Sequence, residues 1–295
     1  MNTFFDLLVS SILLAGLYMT MSFGLTMIYG VMKIINLAHA GVIMLGAYLT
    51  YTLYHTLGID PILSLVINLP LFFLFGMFIH RVFVSRVPLA DVPTLPSLLL
   101  LFGIWLILQN IAYLIWSGND RSIMTAYTTS TFQILGAHVS LIRVIVFVIS
   151  ILALIFLQLF LSRTYMGKAI RAITQNRNSA RLAGIDVERI SMVAFGIGIA
   201  FAALAGTLMS TMYSFNPDFG RTFLLKAFVI IVLGGLESFY GVAIGALLLA
   251  LFESYSALFI QASLQPAISF TLLVVILIFL PGGITGLLQR RRKAA

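Results

Sequence analysis

Two residues of opposite charge, Lys226 and Glu253, fall inside apolar runs where an unpaired charge is costly. The hairpin that holds them turns near Ser238, twelve residues after one and fifteen before the other. At a helical rise of 1.5 Å per residue their depths differ by only about 4.5 Å, a gap that long side chains close. The pair either neutralises itself as a tie between spans or meets a solute directly. A second interruption, Lys33 to Gly41, sets Asn36 and His39 between two apolar runs. Such a break either lines a permeation path or forms a tight turn with His39 capping the following helix. Gln109 and Asn110 put two neighbouring amides into another run. Asn36, His39, Gln109, Asn110, Lys226 and Glu253 are therefore the candidate residues for a translocation path or a polar core.

Catalytic chemistry finds no comparable foothold. The chain has neither a GxxxxGK[ST] loop nor an HExxH motif, and its four histidines lie far apart. No catalytic residue, no metal site and no bound cofactor are expected, and an integral-membrane enzyme is disfavoured because no grouped His, Asp or Glu site faces either surface. The nine acids sit mostly in loops or near span ends, with only Glu253 well inside a span. A proton- or sodium-coupled transporter keeps carboxylates near mid-membrane, so ion coupling is also disfavoured. A stand-alone secondary transporter or channel is the alternative reading. Zero cysteines exclude disulfides and thiolate metal sites.

The polar stretch Arg163 to Arg189 holds six of the seventeen Lys and Arg residues of a chain that is only 9% charged. Met166, Ile170 and Ile173 line one face of a helix while Lys168, Arg171 and Gln175 point elsewhere, which predicts a short amphipathic helix. Gly184 can stop it, and Asp186 can cap the next helix. A structured basic element on one side of a membrane protein is a handle for another protein.

The elements that position these residues are long and apolar. With 61% hydrophobic residues and a mean hydropathy of +1.11, the chain reads as an all-α, polytopic helical membrane protein. The expected spans are 4–29, 34–54, 62–79, 93–116, 142–161, 190–213, 223–235, 241–259 and 266–280, within a total of about eight to ten. With the N-terminus outside, the cytoplasmic loops hold Lys33, Arg81, Arg86, the six residues of the polar stretch and Arg290 to Lys293. That is thirteen, against Arg121, Arg143 and Arg221 outside and Lys226 within a span. The bias predicts an outer N-terminus and a cytoplasmic C-terminus. It also explains the net charge of +8 without nucleic acid, for which no aromatic and basic groove exists. The first run has no preceding Lys or Arg and no cleavage site after it, so it reads as a retained span.

One membrane domain, residues 1–295, accounts for the chain, since no soluble segment could bury its own core. The loop 117–140 is rich in Ser and Thr and reads as a small extracytoplasmic cap or a solvated connector. A weak internal echo links Gly30 to Leu49 with Gly234 to Leu251, each an apolar run, a polar break and a glycine-rich helix suited to close helix crossings.

At these residues the chain resembles the inner-membrane permease family of branched-chain amino acid ABC importers. The resemblance runs from the first span to the last. It is carried by Gly16, Tyr18, Gly24, Leu25, Thr26 and Gly30, by Asn36 to His39 and Met44 to Tyr48, and by Gln109 and Asn110. Gly167 to Ala172, Ala180, Gly184 and Ile185 carry it in the polar stretch. Leu225 to Phe228, Val232 to Gly235, Glu253, Pro281, Gly283 and Gly286 complete it. The resemblance implies a plasma-membrane uptake system of two paired permeases, commonly paralogues, with two cytoplasmic ATPases that use ATP and Mg and an extracytoplasmic solute-binding protein. Residues 163–189 would be the coupling segment, with Gly167, Lys168, Arg171, Ala180 and Gly184 meeting the ATPase. The chain departs from the family pattern at Ala40 and Gly41, where a Gly and an acid often follow the histidine, which leaves amino acids, urea and amides all open as solutes. Asn176 to Asn178 stand where acidic and Pro residues are common, and Leu280 where Arg is common.

Overall fold

Each apolar run expected to span forms an α-helix in the computed structural model, which describes residues 2–87, 95–134, 137–259, 261, 264–279 and 283–284. The spans are α1 (Asn2–Met32), α2 (Ala38–Leu57), α3 (Leu65–Val82), α4 (Leu95–Trp116), α6 (Leu141–Arg163), α9 (Val187–Ser210), α10 (Phe219–Gly234), α11 (Phe239–Ser256) and α12 (Gln265–Phe279). Between them lie the short helices α5 (Ala126–Thr129), α7 (Tyr165–Gln175) and α8 (Arg177–Leu182). Six of the nine, α1, α3, α4, α6, α9 and α11, are long and apolar enough to cross a bilayer among the described residues. α10 has 16 residues and α12 has 15. Leu280, Pro281, Gly286 and the basic run Arg290 to Lys293 lie outside the described residues.

α9 is the axis of the bundle and packs against α1, α2 and α3. Eight of its nineteen buried residues are Ala or Gly, which lets neighbouring backbones touch. A Cβ placed on Gly24 of α1 would lie 2.4 Å from the Gly198 carbonyl oxygen, and one placed on Gly198 would lie 2.7 Å from that of Gly24. The helices therefore cross with no side chain between them. Gly24→Ala is expected to destabilise the bundle by about 1–3 kcal/mol, the usual cost of overpacking. Thermal unfolding of the chain in detergent measures this, and an unchanged midpoint would rule the close crossing out.

A buried polar knot adds direction to this packing. Asn68 of α3 donates from Nδ2 to Thr50 Oγ1 of α2 at 2.9 Å and to Thr207 Oγ1 of α9 at 2.8 Å. In an apolar medium such bonds have no water competing for them, so they fix helix register.

The connections gather into two ends. At one, the α1–α2 break, the α7–α8 pair and the α10–α11 turn meet: Lys33 pairs with Glu237, and Thr174 of α7 sits against Gly30 of α1. At the other, the loop 117–140 holds α5 and a hairpin of β1 (Thr131–Ile134) with β2 (Ala137–Ser140), antiparallel with Thr131 opposite Ser140. Arg121 and Phe215 exchange backbone hydrogen bonds of 2.8 and 2.9 Å, tying this loop to the α9–α10 connection. Tyr127 donates to Asp60 at 2.9 Å. Burial pushes the Tyr127 phenol up to about 12, so it remains a donor near neutral pH.

Candidate functional site

The charged residues inside the bundle meet at the end that carries the hairpin. Lys226 of α10 donates to Glu253 Oε2 of α11 at 2.9 Å and to the Tyr18 hydroxyl of α1 at 2.8 Å. Tyr18 itself donates to Glu253 Oε2, and Ser269 of α12 donates to Oε1 at 2.7 Å. Four helices thus converge on one carboxylate. The side chains of Lys226 and Glu253 are 13% and 4% exposed, so each charge has lost most of its water and keeps the other as its main compensation. Depth in the α10–α11 hairpin, which turns at Ser238 with its side chain accepting from the Gly241 amide at 3.1 Å, brings the pair level. Tyr18 and Ser269 had no such signal, because their approach depends on how α1 and α12 pack.

A cavity of about 300 Å³ opens on this cluster and is lined also by Arg143, Met212 and Tyr213. A second, of about 360 Å³, shares those three residues and reaches Thr128, Thr131 and Ser140 in the loop above. Together they lead from the loop 117–140 to the Lys226–Glu253 pair. Arg143 is the residue that sequence reasoning placed only as a loop charge.

The other polar candidates are dispersed. His39 lies inside α2, fully buried, with Nε2 2.9 Å from the Met21 carbonyl oxygen of α1. It does not cap α2, which starts a residue earlier at Ala38 and has no side-chain cap. Asn36 is fully buried in the break, and neither its amide atoms nor His39 Nδ1 has a polar partner among the described residues. Gln109 donates to Asp218 Oδ1 at 2.6 Å at the end of the bundle that carries the loop 117–140. Asn110 is exposed, and its Nδ2 turns back to the Leu106 carbonyl at 2.7 Å. The geometry joins Lys226 with Glu253 and Asn36 with His39, and leaves Gln109 and Asn110 on α4 apart from both groups.

At the opposite end the polar stretch forms two helices where one was expected. α7 ends because Asn176 adopts an extended conformation (φ −157°, ψ 107°), and its side chain then caps α8 by accepting from the Ser179 amide at 2.9 Å. Asn serves here as an N-cap as an acid would. Gly184, at φ +82°, follows α8, and Asp186 caps α9 by accepting from the Arg189 amide at 3.1 Å. Gly167, Ala169, Ile170 and Ile173 are buried against the bundle, and Ala180 of α8 is buried too. Lys168 and Arg171 face out, as do Tyr165 and Leu182, 73% and 90% exposed. The segment carries a charged outward face with two apolar side chains that no described residue covers.

A bundle of apolar helices around a small-residue axis, with a buried ion pair at one end and an amphipathic basic pair of helices at the other, defines a multi-pass membrane permease. The chain belongs to the family of the branched-chain amino acid transport system permease component, whose model matches residues 7–280. It is a permease subunit of the ABC-importer type and a multi-pass protein of the inner membrane. It is 32% identical over 292 residues to the high-affinity branched-chain amino acid transport system permease protein BraD of Pseudomonas aeruginosa, covering 95% of this chain and 94% of that one. To LivH of Escherichia coli, of the same description, it is 29% identical over 296 residues, covering 96% of each. It also matches LivM of Escherichia coli, again a permease protein of that description, at 32% identity over 164 residues, or 51% of this chain and 36% of LivM. No solved structure matches the chain.

Proposed function

We propose that this chain forms half of the membrane channel of an ABC importer that takes up branched-chain amino acids or a related small polar solute such as urea or an amide. Its N-terminus lies outside and its C-terminus in the cytoplasm, as the distribution of Lys and Arg favours. Two cytoplasmic ATPases supply ATP and Mg chemistry, and this chain binds neither. An extracytoplasmic solute-binding protein delivers the solute. The second permease is a paralogue or another copy of this chain. Similarity to both LivH and LivM, two permease proteins of one organism under one system description, supports a permease partner.

The observation that carries this reading is the α7–α8 pair. Its apolar face is buried on the bundle, and Tyr165, Lys168, Arg171 and Leu182 are left outward on one short, well-capped element. Apolar residues rimmed by charge mark a protein contact. The test is purification from native membranes followed by identification of the accompanying chains, then hydrolysis assays with and without solute. Two ATPases and a second permease are expected to copurify. Arg171→Glu reverses the charge at the contact and is expected to lower solute-stimulated hydrolysis about tenfold, the scale of one lost charge-assisted contact. Wild-type stimulation in that variant would remove α7 from the ATPase contact.

A further inference from the structure

The cavities at the outer end carry more positive charge than they neutralise. Their charged lining is Arg143, Lys226 and Glu253. Glu253 is fully engaged by Tyr18, Lys226 and Ser269, so Lys226 is compensated. Arg143, exposed in the first turn of α6, has no acidic partner among the described residues. A third cavity, of about 160 Å³ on the other side of Lys226, adds Arg221 and no acid. The wall of the 300 Å³ cavity includes an apolar stretch of Leu7, Leu14, Met212 and Phe223, with the hydroxyls of Ser10 and Ser254 beside it.

We propose that this vestibule binds the carboxylate of the transported solute at Arg143 and rests its aliphatic part on that apolar wall. The proposal builds on the reading of the chain as an importer permease and decides among the solutes that reading leaves open. A surplus cation lining a cavity attracts a carboxylate, gives a neutral amide a hydrogen bond without the matching charge, and repels a cation. The cavity, about 300 Å³, is at the small end of ligand pockets and suits one amino acid. Amino acids and other short aliphatic carboxylates are therefore its ligands, and urea and amides are not. Tyr213 and Met212 line both cavities beside Arg143.

The absence of cysteine makes a clean test possible, because Ser254→Cys puts a single thiol on the cavity wall. In membranes holding the assembled system, the labelling rate of that thiol by a membrane-impermeant maleimide is followed. Leucine and isovalerate are each expected to slow labelling at least about fivefold, and urea and leucinamide to leave it unchanged, as a charge-assisted contact requires. Arg143→Gln in the same chain should shift the protecting leucine concentration, read against that variant's own unliganded rate, up about tenfold, while Arg143→Lys keeps part of the protection. A protecting leucine concentration left unshifted by Arg143→Gln, equal protection by urea or leucinamide, or a thiol the reagent never reaches would each overturn the site. Uptake of labelled leucine is measured in parallel. Uptake without protection removes the site and leaves the transport reading standing, whereas protection without ATP-dependent uptake does the reverse.

Discussion

Gly167→Val is expected to leave the chain inserted and assembled while lowering ATP-driven uptake on the order of a hundredfold, the penalty that follows when a working geometry is displaced by about 1 Å. α7 turns back on α6 through a single residue, Thr164. The Thr164 hydroxyl accepts from the Gly167 amide at 3.0 Å and donates to the Phe160 carbonyl at 2.8 Å. A Cβ at position 167 would stand 2.2 Å from that same carbonyl oxygen and 2.5 Å from Leu161 Cα. Both obstacles are backbone inside a regular helix, so α7 must move and α6 will not. The local cost, about 1–3 kcal/mol by analogy with overpacked cores, is small against the burial that holds the spans together. Uptake and solute-stimulated hydrolysis in the reconstituted complex give the readout, with copurification of the ATPases as the control for assembly. Wild-type uptake would show that α7 does not transmit the ATPase motion.

The second large effect is on stability. Glu253→Gln leaves Lys226 buried with no counter-charge, and Lys226→Met leaves Glu253 in the same state, so each is expected to destabilise by about 3–5 kcal/mol. The double change removes both charges and is expected to recover most of that loss, because a neutral pair has no desolvation to offset. Thermal unfolding of the four forms in detergent gives the coupling directly. Additive losses would mean that the two side chains do not compensate one another, whatever their 2.9 Å separation.

The spans are legible in the sequence because each is a run of apolar residues matched to one physical length, and the Lys226–Glu253 pair is legible because both members belong to one hairpin. What escapes is whatever depends on helices far apart in the chain. Tyr18 reaches Glu253 across 235 residues of sequence, and Asn68 reaches Thr207 across 139. Tyr18 stands out only through the family resemblance and Asn68 only as an amide in an apolar run, and neither signal names a partner before the packing is known. The break in the polar stretch at Asn176 was legible in kind and missed in fact. Asn is a weak helix former and a strong cap, but the apolar spacing of Met166, Ile170 and Ile173 outweighed it. The hairpin β1–β2 lies in a loop whose Ser and Thr content reads as a connector. Arg143 was counted among three outer arginines by sign alone, and only its place beside two cavities distinguishes it.

Asp186 begins α9 two residues after the glycine that closes the α7–α8 pair, and α9 then meets α1, α2 and α3 at points where backbone touches backbone. Side chains can change rotamer and absorb a displacement, whereas a peptide carbonyl pressed against another helix cannot. A twist applied to α9 at the end that follows the α7–α8 pair is therefore expected to carry to its far end, where Met212 and Tyr213 border the cavities. The small residues that make the axis narrow also make it a stiff drive shaft, with the amphipathic α7–α8 pair at one end and the cavities beside Arg143 at the other.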